Sequence, residues 1–214
     1  MRKLLIIATL GILQGCMSPV STQDMLGKLY NVSTSGASQF DGTKFIRVTK
    51  MFCSNNIVGF ELYQDTPKHN AGYALIEAGT NTITNIGEGK ALHIKIDGKI
   101  HSFESRDVGT EYDEHVYEYG FTTRFSHKSF VIPEPLIREI ASSKEFLVKL
   151  NLLNNTYVEG KCSPVTLAEY KEANEKLSSA KNVTQEQIDN ANKITALYGF
   201  RKFVTMMDST KWEE

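Results

Sequence analysis

The residues best suited to acid–base chemistry stand together near the middle of the chain. Tyr112, Asp113, Glu114 and His115 place two carboxyl groups and an imidazole on consecutive residues. General acid–base catalysis uses such groups, but it also needs a cleft and pKa values shifted toward the working pH. A solvated polar loop before a strand has the same composition. We therefore predict no catalytic residue, and hydrolysis at this segment stays an alternative function.

Two histidines could meet across a β-hairpin and bind a metal. Asp97-Gly98 stands between two alternating segments, which is the strongest short signal for a hairpin. A two-residue turn would place His101 on the face of the apolar residues of the first strand. A three-residue turn, which keeps that face cleaner and which we favour, pairs His93 with His101. Two imidazoles without a third ligand make a weak site, so we predict neither a metal nor a cofactor.

Aromatic residues recur on one parity of the strand-like segment 116–130. Residues of one parity share one face of a sheet, so these rings could form a stacking platform for a sugar or a peptide. The same pattern is typical of a sheet core. The candidate binding residues are Tyr117, Tyr119, Phe121 and Phe125.

The start of the chain has the features of a secretory signal. Arg2 and Lys3 precede an apolar segment, residues 4–13, which is shorter than the ~20 residues of a membrane-spanning helix. The sequence Leu13-Gln14-Gly15-Cys16 that follows resembles the lipobox of bacterial lipoproteins, with Gln14 in place of the usual Ala, Ser or Thr. The resemblance covers residues 1–16 only.

This resemblance implies that the chain is cut before Cys16 and that lipid is attached to the Cys16 sulfur. Two or three acyl chains would hold the protein on a membrane permanently, because each buried CH₂ adds about 0.8 kcal/mol. The second mature residue, Met17, is not Asp, which by the same resemblance favours the outer membrane. The expected location is therefore the bacterial cell envelope, with the membrane as one partner.

The remaining two cysteines are predicted to form a disulfide. If Cys16 carries lipid, Cys53 and Cys162 are left as an even pair in an oxidising compartment. Each follows a predicted strand, so a bond between them is possible if those strands are neighbours.

Charge and motifs exclude several classes of protein. Of 24 basic residues, Arg2 and Lys3 fall in the signal, so 22 basic and 25 acidic residues remain, a mature net charge of −3 with histidine neutral. Without a positive surplus, nucleic acid is not an expected partner. No Gly-rich phosphate loop, CxxC pair, HExxH or GxSxG motif is present.

Hydrophobic periodicity predicts an α+β fold. Alternating segments run through residues 43–162, one of them with Phe146, Val148 and Leu150 on one face. Two capping boxes, Thr166 with Glu169 and Thr184 with Gln187, begin helices, and Gly199 is expected to end or kink the second helix. We predict a mainly antiparallel β-sheet or small sandwich with an antiparallel helical hairpin, residues 166–207, packed on it. The predicted divisions are a signal peptide (1–15), a lipidated tether (16–42) that includes the linker-like segment 33–38, and one domain (43–214).

We identify no family for the mature domain. The predicted function is a lipid-anchored envelope module, binding or structural and not enzymatic, that contacts another envelope protein or a glycan. The alternatives are an envelope hydrolase with an acid–base site and an exclusion or inhibitor lipoprotein of phage or plasmid type.

Overall fold

The computed structural model describes residues 30–53, 58–116, 122–174 and 183–212. The predicted signal peptide and the lipidation site Cys16 lie outside these residues, as do Tyr117, Tyr119 and Phe121. The strands are β1 (Val32–Ala37), β2 (Lys44–Phe52), β3 (Val58–Asp65), β4 (Tyr73–Thr80), β5 (Lys90–Ile96), β6 (Lys99–Glu104), β7 (Glu111–Val116), β8 (Thr122–Pro133), β9 (Phe146–Asn151) and β10 (Tyr157–Lys161). The helices are α1 (Thr66–Asn70), α2 (Glu134–Ser142), α3 (Leu167–Ala173), α4 (Gln185–Asn192) and α5 (Ala196–Ser209).

The described strands form two antiparallel sheets. One has six strands in the order β1-β2-β3-β4-β8-β7, and the other has four in the order β10-β9-β5-β6. The C-terminal helix α5 packs against β2, β3 and α2. The predicted α+β fold, mainly antiparallel with helices packed on a sheet, is confirmed.

The core joins both sheets to the C-terminal helix through three phenylalanines. Phe60 on β3 stacks on Phe146 of β9 with ring centroids 6.2 Å apart. Phe200 on α5 meets the edge of each ring, at 6.3 and 5.2 Å. All three side chains are almost completely buried. Each such burial is worth about 1.5–3 kcal/mol, so this contact is a main reason that the layers stay together.

The predicted Cys53–Cys162 disulfide is present. Cys53 directly follows β2 of the first sheet, and Cys162 directly follows β10 of the second. The Cys162 carbonyl also accepts a hydrogen bond from the backbone N–H of Leu197, at 3.0 Å, on helix α5. The bond therefore connects the ends of strands from different sheets beside the start of α5.

Part of the predicted tether is folded, so that prediction is wrong for residues 32–37. Strand β1 pairs with β2 from Val32 opposite Thr49 to Ala37 opposite Lys44. A Cβ on Gly36 would lie 3.2 Å from the Phe45 ring. Gly36 thus leaves room for an aromatic ring on the neighbouring strand, and backbone hydrogen bonds supply the pairing.

Both predicted capping boxes are present at the starts of α3 and α4. The helix predicted from Thr184 onward is, however, two helices, because the chain breaks between α4 and the α5 cap at Thr195. Gly199, predicted to end or kink this helix, lies inside α5 instead. A Cβ there would meet Asn31 and Met51 atoms at 2.5 Å, so glycine permits the close approach of α5 to the sheet. Among the described helices, none has the length and hydropathy needed to cross a bilayer.

Candidate binding groove

The β5–β6 hairpin has a two-residue turn, so the three-residue register favoured from the sequence is wrong. Ile96 pairs with Lys99, and His93 pairs with Ser102 rather than with His101. Asp97 and Gly98 both have positive φ, 45° and 92°, as a type I′ turn requires. This turn matches the twist of the two strands, which outweighs the cleaner apolar face of the alternative.

The register decides which side chains face outward. A shift of one residue moves a whole strand's side chains to the other face of the sheet. His101 therefore lies with Ile94 on the inner face, away from His93, and Ile100 lies on the outer face with 65% of its surface exposed. The two histidines do not form the pair considered for a metal. Within the described residues, no group of three His, Cys, Asp or Glu could hold a metal ion.

An open groove of about 550 Å³ lies on the outer face of the four-stranded sheet. The floor of the groove follows from the alternation of side chains along β9. Phe146, Val148 and Leu150 enter the core, while Leu147 and Lys149 point outward. The side chains that line the groove include His93, Lys95, Ile100, Leu147, Lys149 and Lys161.

The strand registers arrange these side chains in two rows across the sheet. One row reads Ile100, Lys95, Leu147, Lys161, and the next reads Ser102, His93, Lys149, Glu159. Each row crosses four strands, or about 14 Å at a spacing of ~4.8 Å between strands. The groove thus runs across the strands and not along them.

His93 is held on the floor of the groove by one hydrogen bond at each ring nitrogen. Nε2 lies 2.9 Å from Nδ2 of Asn151, and Nδ1 lies 2.8 Å from the Ser102 hydroxyl oxygen. The amide donates to Nε2, so Nδ1 carries the proton and donates to Ser102. Burial lowers the pKa of His93, and the nearby charge of Lys149 lowers it further. The ring is therefore neutral and fixed at pH 7.

Three lysines surround Leu147, and their contacts differ. Nζ of Lys95 lies 3.7 Å from a Glu145 oxygen, and Nζ of Lys161 lies 2.9 Å from Glu169. The backbone and side-chain hydrogen bonds from Thr166 and the bond from Lys161 lower the Glu169 pKa to about 2.

Lys149 instead lies over an aromatic ring. Its Nζ is 4.1 Å from the centroid of Tyr157, whose side chain is 53% exposed. A ring face attracts the ammonium group but leaves its positive charge in place. Lys149 is thus the groove lysine best placed to meet a negatively charged ligand group.

The outer face of the six-stranded sheet carries a second set of charged groups. Glu61 on β3 is directly opposite Glu77 on β4, and Arg47 forms an ion pair with Glu61. Burial raises the pKa of Glu77, and the charge of Glu61 raises it further. The buried His127 lies nearby. Its Nε2 is 3.1 Å from Oδ2 of Asp113, which is close enough for an ion pair, but the two atoms are not aligned for a hydrogen bond.

The acid–base segment considered from the sequence is divided by its strand. Asp113 reaches His127, whereas Glu114 pairs with Arg124 at 3.4 Å, because successive residues of β7 point to opposite faces. The side chain of His115 is outside the described part of the structure. Asp113 and Glu114 are thus not brought to one site.

Of the four predicted aromatic binding residues, only Phe125 is among the described residues. Its half-buried ring covers the paired glycines Gly59 and Gly79, where a Cβ would lie 3.0 and 2.8 Å from ring atoms. Phe125 also stacks on His127, with centroids 6.0 Å apart. It therefore packs on the sheet, and the groove lies on the other sheet. In the sequence, the groove is indicated by β9, where Lys149 stands between the buried apolar residues Val148 and Leu150.

The comparisons with known proteins give similarity in structure but no family. No family model matches the sequence, and no curated protein matches it. Among solved structures, the chain is similar to invasion associated protein B from Bartonella henselae, with a TM-score of 0.35 and 10% sequence identity. The similarity covers 72% of this chain and 96% of that one. Likeness at this level supports no conclusion about the activity of this chain.

Proposed function

We propose that this chain is a lipid-anchored lipoprotein of the bacterial cell envelope and that it acts as a non-enzymatic binding module. Its ligand surface in this proposal is the groove on the four-stranded sheet. The observation that carries the proposal is the groove itself, whose ~550 Å³ falls within the range of about 300–1,000 Å³ typical of ligand sites. It also combines an apolar floor with a few convergent polar groups, as such sites do.

Two further features support an envelope location. The lipobox-like sequence ending at Cys16 implies an anchor, although it lies outside the described residues. The Cys53–Cys162 disulfide fits an oxidising compartment, because thiols are kept reduced in the cytosol.

The anchor is tested by the Cys16→Ala variant. We expect the wild-type protein to partition into the detergent phase and its N-terminal peptide to carry the mass of acyl chains. The variant should stay uncleaved or enter the aqueous phase. An unmodified Cys16 peptide in mature wild-type protein would refute the anchor.

Binding through the groove is tested with two matched substitutions of exposed isoleucines. Ile100→Asp places a negative charge in the groove, and Ile83→Asp places the same charge outside it. The two isoleucines are similarly exposed, Ile100 to 65% and Ile83 to 60%. The detergent-extracted mature proteins are sedimented with purified peptidoglycan sacculi and with purified envelope polysaccharide. We expect wild-type and Ile83→Asp protein to co-sediment with one of these, and Ile100→Asp protein to remain in solution. Equal behaviour of the two variants would contradict the proposal.

An envelope hydrolase is the second candidate, favoured by the contact of His127 with Asp113 near Glu77. A carboxyl group with a raised pKa beside an imidazole resembles an acid–base pair. Under this alternative, purified protein would release soluble fragments from sacculi, and Glu77→Gln would abolish the release while folding normally. The binding proposal predicts no fragments from either protein.

A further inference from the structure

We propose that the groove binds an acidic glycan, meaning a sugar chain that carries carboxylate or phosphate groups. This inference rests on the proposed binding function and names the class of its ligand. The groove offers three features that such a ligand needs: positive charge, apolar surface and fixed hydrogen-bonding groups.

The charge of the groove is opposite to that of the mature chain. Its lining has three lysines against one carboxylate, Glu159, whereas the mature chain carries three more acidic than basic residues. Glu145 and Glu169 at the rim partly neutralise Lys95 and Lys161. Lys149 lies over the Tyr157 ring, 4.1 Å away, with Glu159 opposite it on the neighbouring strand, and its Nζ is not in an ion pair among the described contacts. An anionic group is therefore expected to bind first at Lys149.

The spacing of the side chains suits an extended ligand. Lys95 and Lys161 stand on either side of Leu147 in one row, two strand spacings apart, or about 10 Å. Between them, Leu147 offers an apolar floor for the carbon face of a sugar ring. In the adjacent row, Nδ1–H of His93 donates to the Ser102 hydroxyl oxygen, so this hydroxyl is held in place and can donate its own hydrogen to a sugar oxygen.

Other classes of macromolecule fit this surface less well. A peptide that adds a strand needs free backbone groups at a sheet edge. Strands β5 and β9 lie inside the four-stranded sheet, and each pairs with a neighbour on both sides. A bilayer surface is flat, while the half-buried Leu147 lies at the bottom of a groove. Recognition by side chains across the strands favours a glycan.

The test is calorimetric titration of the mature lipoprotein in detergent with defined oligosaccharides at low salt. The probes are a β-1,4-mannuronate hexamer, its neutral counterpart the β-1,4-mannose hexamer, and a phosphorylated mannose oligomer. Hexaglutamate and phosphatidylglycerol vesicles represent the peptide and membrane classes. We expect at least one anionic sugar to bind at least tenfold more tightly than the mannose hexamer, hexaglutamate and vesicles. The tighter of the two anionic sugars identifies whether carboxylate or phosphate is recognised.

Three variants assign the binding to the groove. Lys149→Glu should weaken binding of the anionic sugar at least tenfold, whereas Lys149→Arg, which keeps the charge, should retain it. Lys193→Glu changes the net charge equally at an exposed position on the helical side and should have no effect. Raising the salt concentration to 0.5 M should weaken binding, because exposed charges are screened.

Two kinds of result would overturn this inference. Equal binding of the neutral and anionic sugars would show that charge is not required, and a preference for hexaglutamate or vesicles would show that the ligand is not a glycan. In both cases the proposed binding function would still stand. Equal effects of Lys149→Glu and Lys193→Glu would show that the anion does not bind in the groove. The proposed binding function is tested separately, by the loss of co-sedimentation in the Ile100→Asp variant.

Discussion

Breaking the Cys53–Cys162 bond is expected to destabilise this chain strongly. The two cysteines are 109 residues apart in sequence. The chain-entropy relation gives about 4.8 kcal/mol at 25 °C for a loop of that length, and native disulfides contribute about 2–5 kcal/mol in practice. We therefore expect reduction to lower the free energy of unfolding by about 3–5 kcal/mol. For a chain of this size, the melting temperature would fall by roughly 10–15 °C.

Urea unfolding of the purified chain with and without reductant measures this effect. The double variant Cys53→Ala/Cys162→Ala should lose about 2 kcal/mol more than reduction does, because both sulfurs are buried and each leaves a small cavity. The reduced protein should also show a larger dependence on urea, since its unfolded chain is no longer held by the bond. A loss below about 1 kcal/mol, or two alkylatable thiols in unreduced protein, would refute the reasoning.

Three other substitutions test the packing and the electrostatics. Glu77→Gln should make the free energy of unfolding, measured in urea, depend less on pH between about pH 4.3 and 7. The raised pKa of Glu77 means that the native state binds more protons than the unfolded state in this range, so the stability of the wild-type protein falls as the pH rises. An unchanged slope in the variant would contradict this. Gly199→Val should cost about 1–3 kcal/mol by overpacking against Met51, whereas the exposed neighbour Tyr198→Ala should cost under about 0.5 kcal/mol in urea unfolding. Trp212→Ala should cost about 3 kcal/mol, because the Trp212 ring stacks on His69 at 4.5 Å and its Nε1 donates to the Met207 carbonyl at 3.0 Å. A midpoint equal to that of wild-type protein would show that this C-terminal contact is not formed.

Local features were predictable because their causes lie within a few residues. The capping boxes at Thr166 and Thr184 each involve a side chain three residues away, so the sequence contains both partners. Alternation identified strand β9 for the same reason, since the period of two is a property of one strand. The pairing of Cys53 with Cys162 was predicted because only two cysteines remained once Cys16 was assigned to lipid, an assignment that stays a prediction.

Contacts between distant segments were not predictable in the same way. Strand β1 was interpreted as linker because its stability comes from backbone pairing with β2 and not from its own side chains. Gly199 suggested a helix end, but the reason for glycine is the approach of Met51 from a strand about 150 residues earlier in the chain.

The sequence by itself determined the fold class and the starts of the helices α3 and α4, through periodicity and short-range hydrogen bonding. It indicated the disulfide partners by elimination, from the number of cysteines. Only the tertiary structure decided the register of the β5–β6 hairpin and the pairing of β9 with β5 and β10. Those pairings bring Lys95, Lys149 and Lys161 around Leu147. Their physical cause is the sum of many weak contacts between residues up to about sixty positions apart in the chain, and such contacts leave no pattern within any one strand.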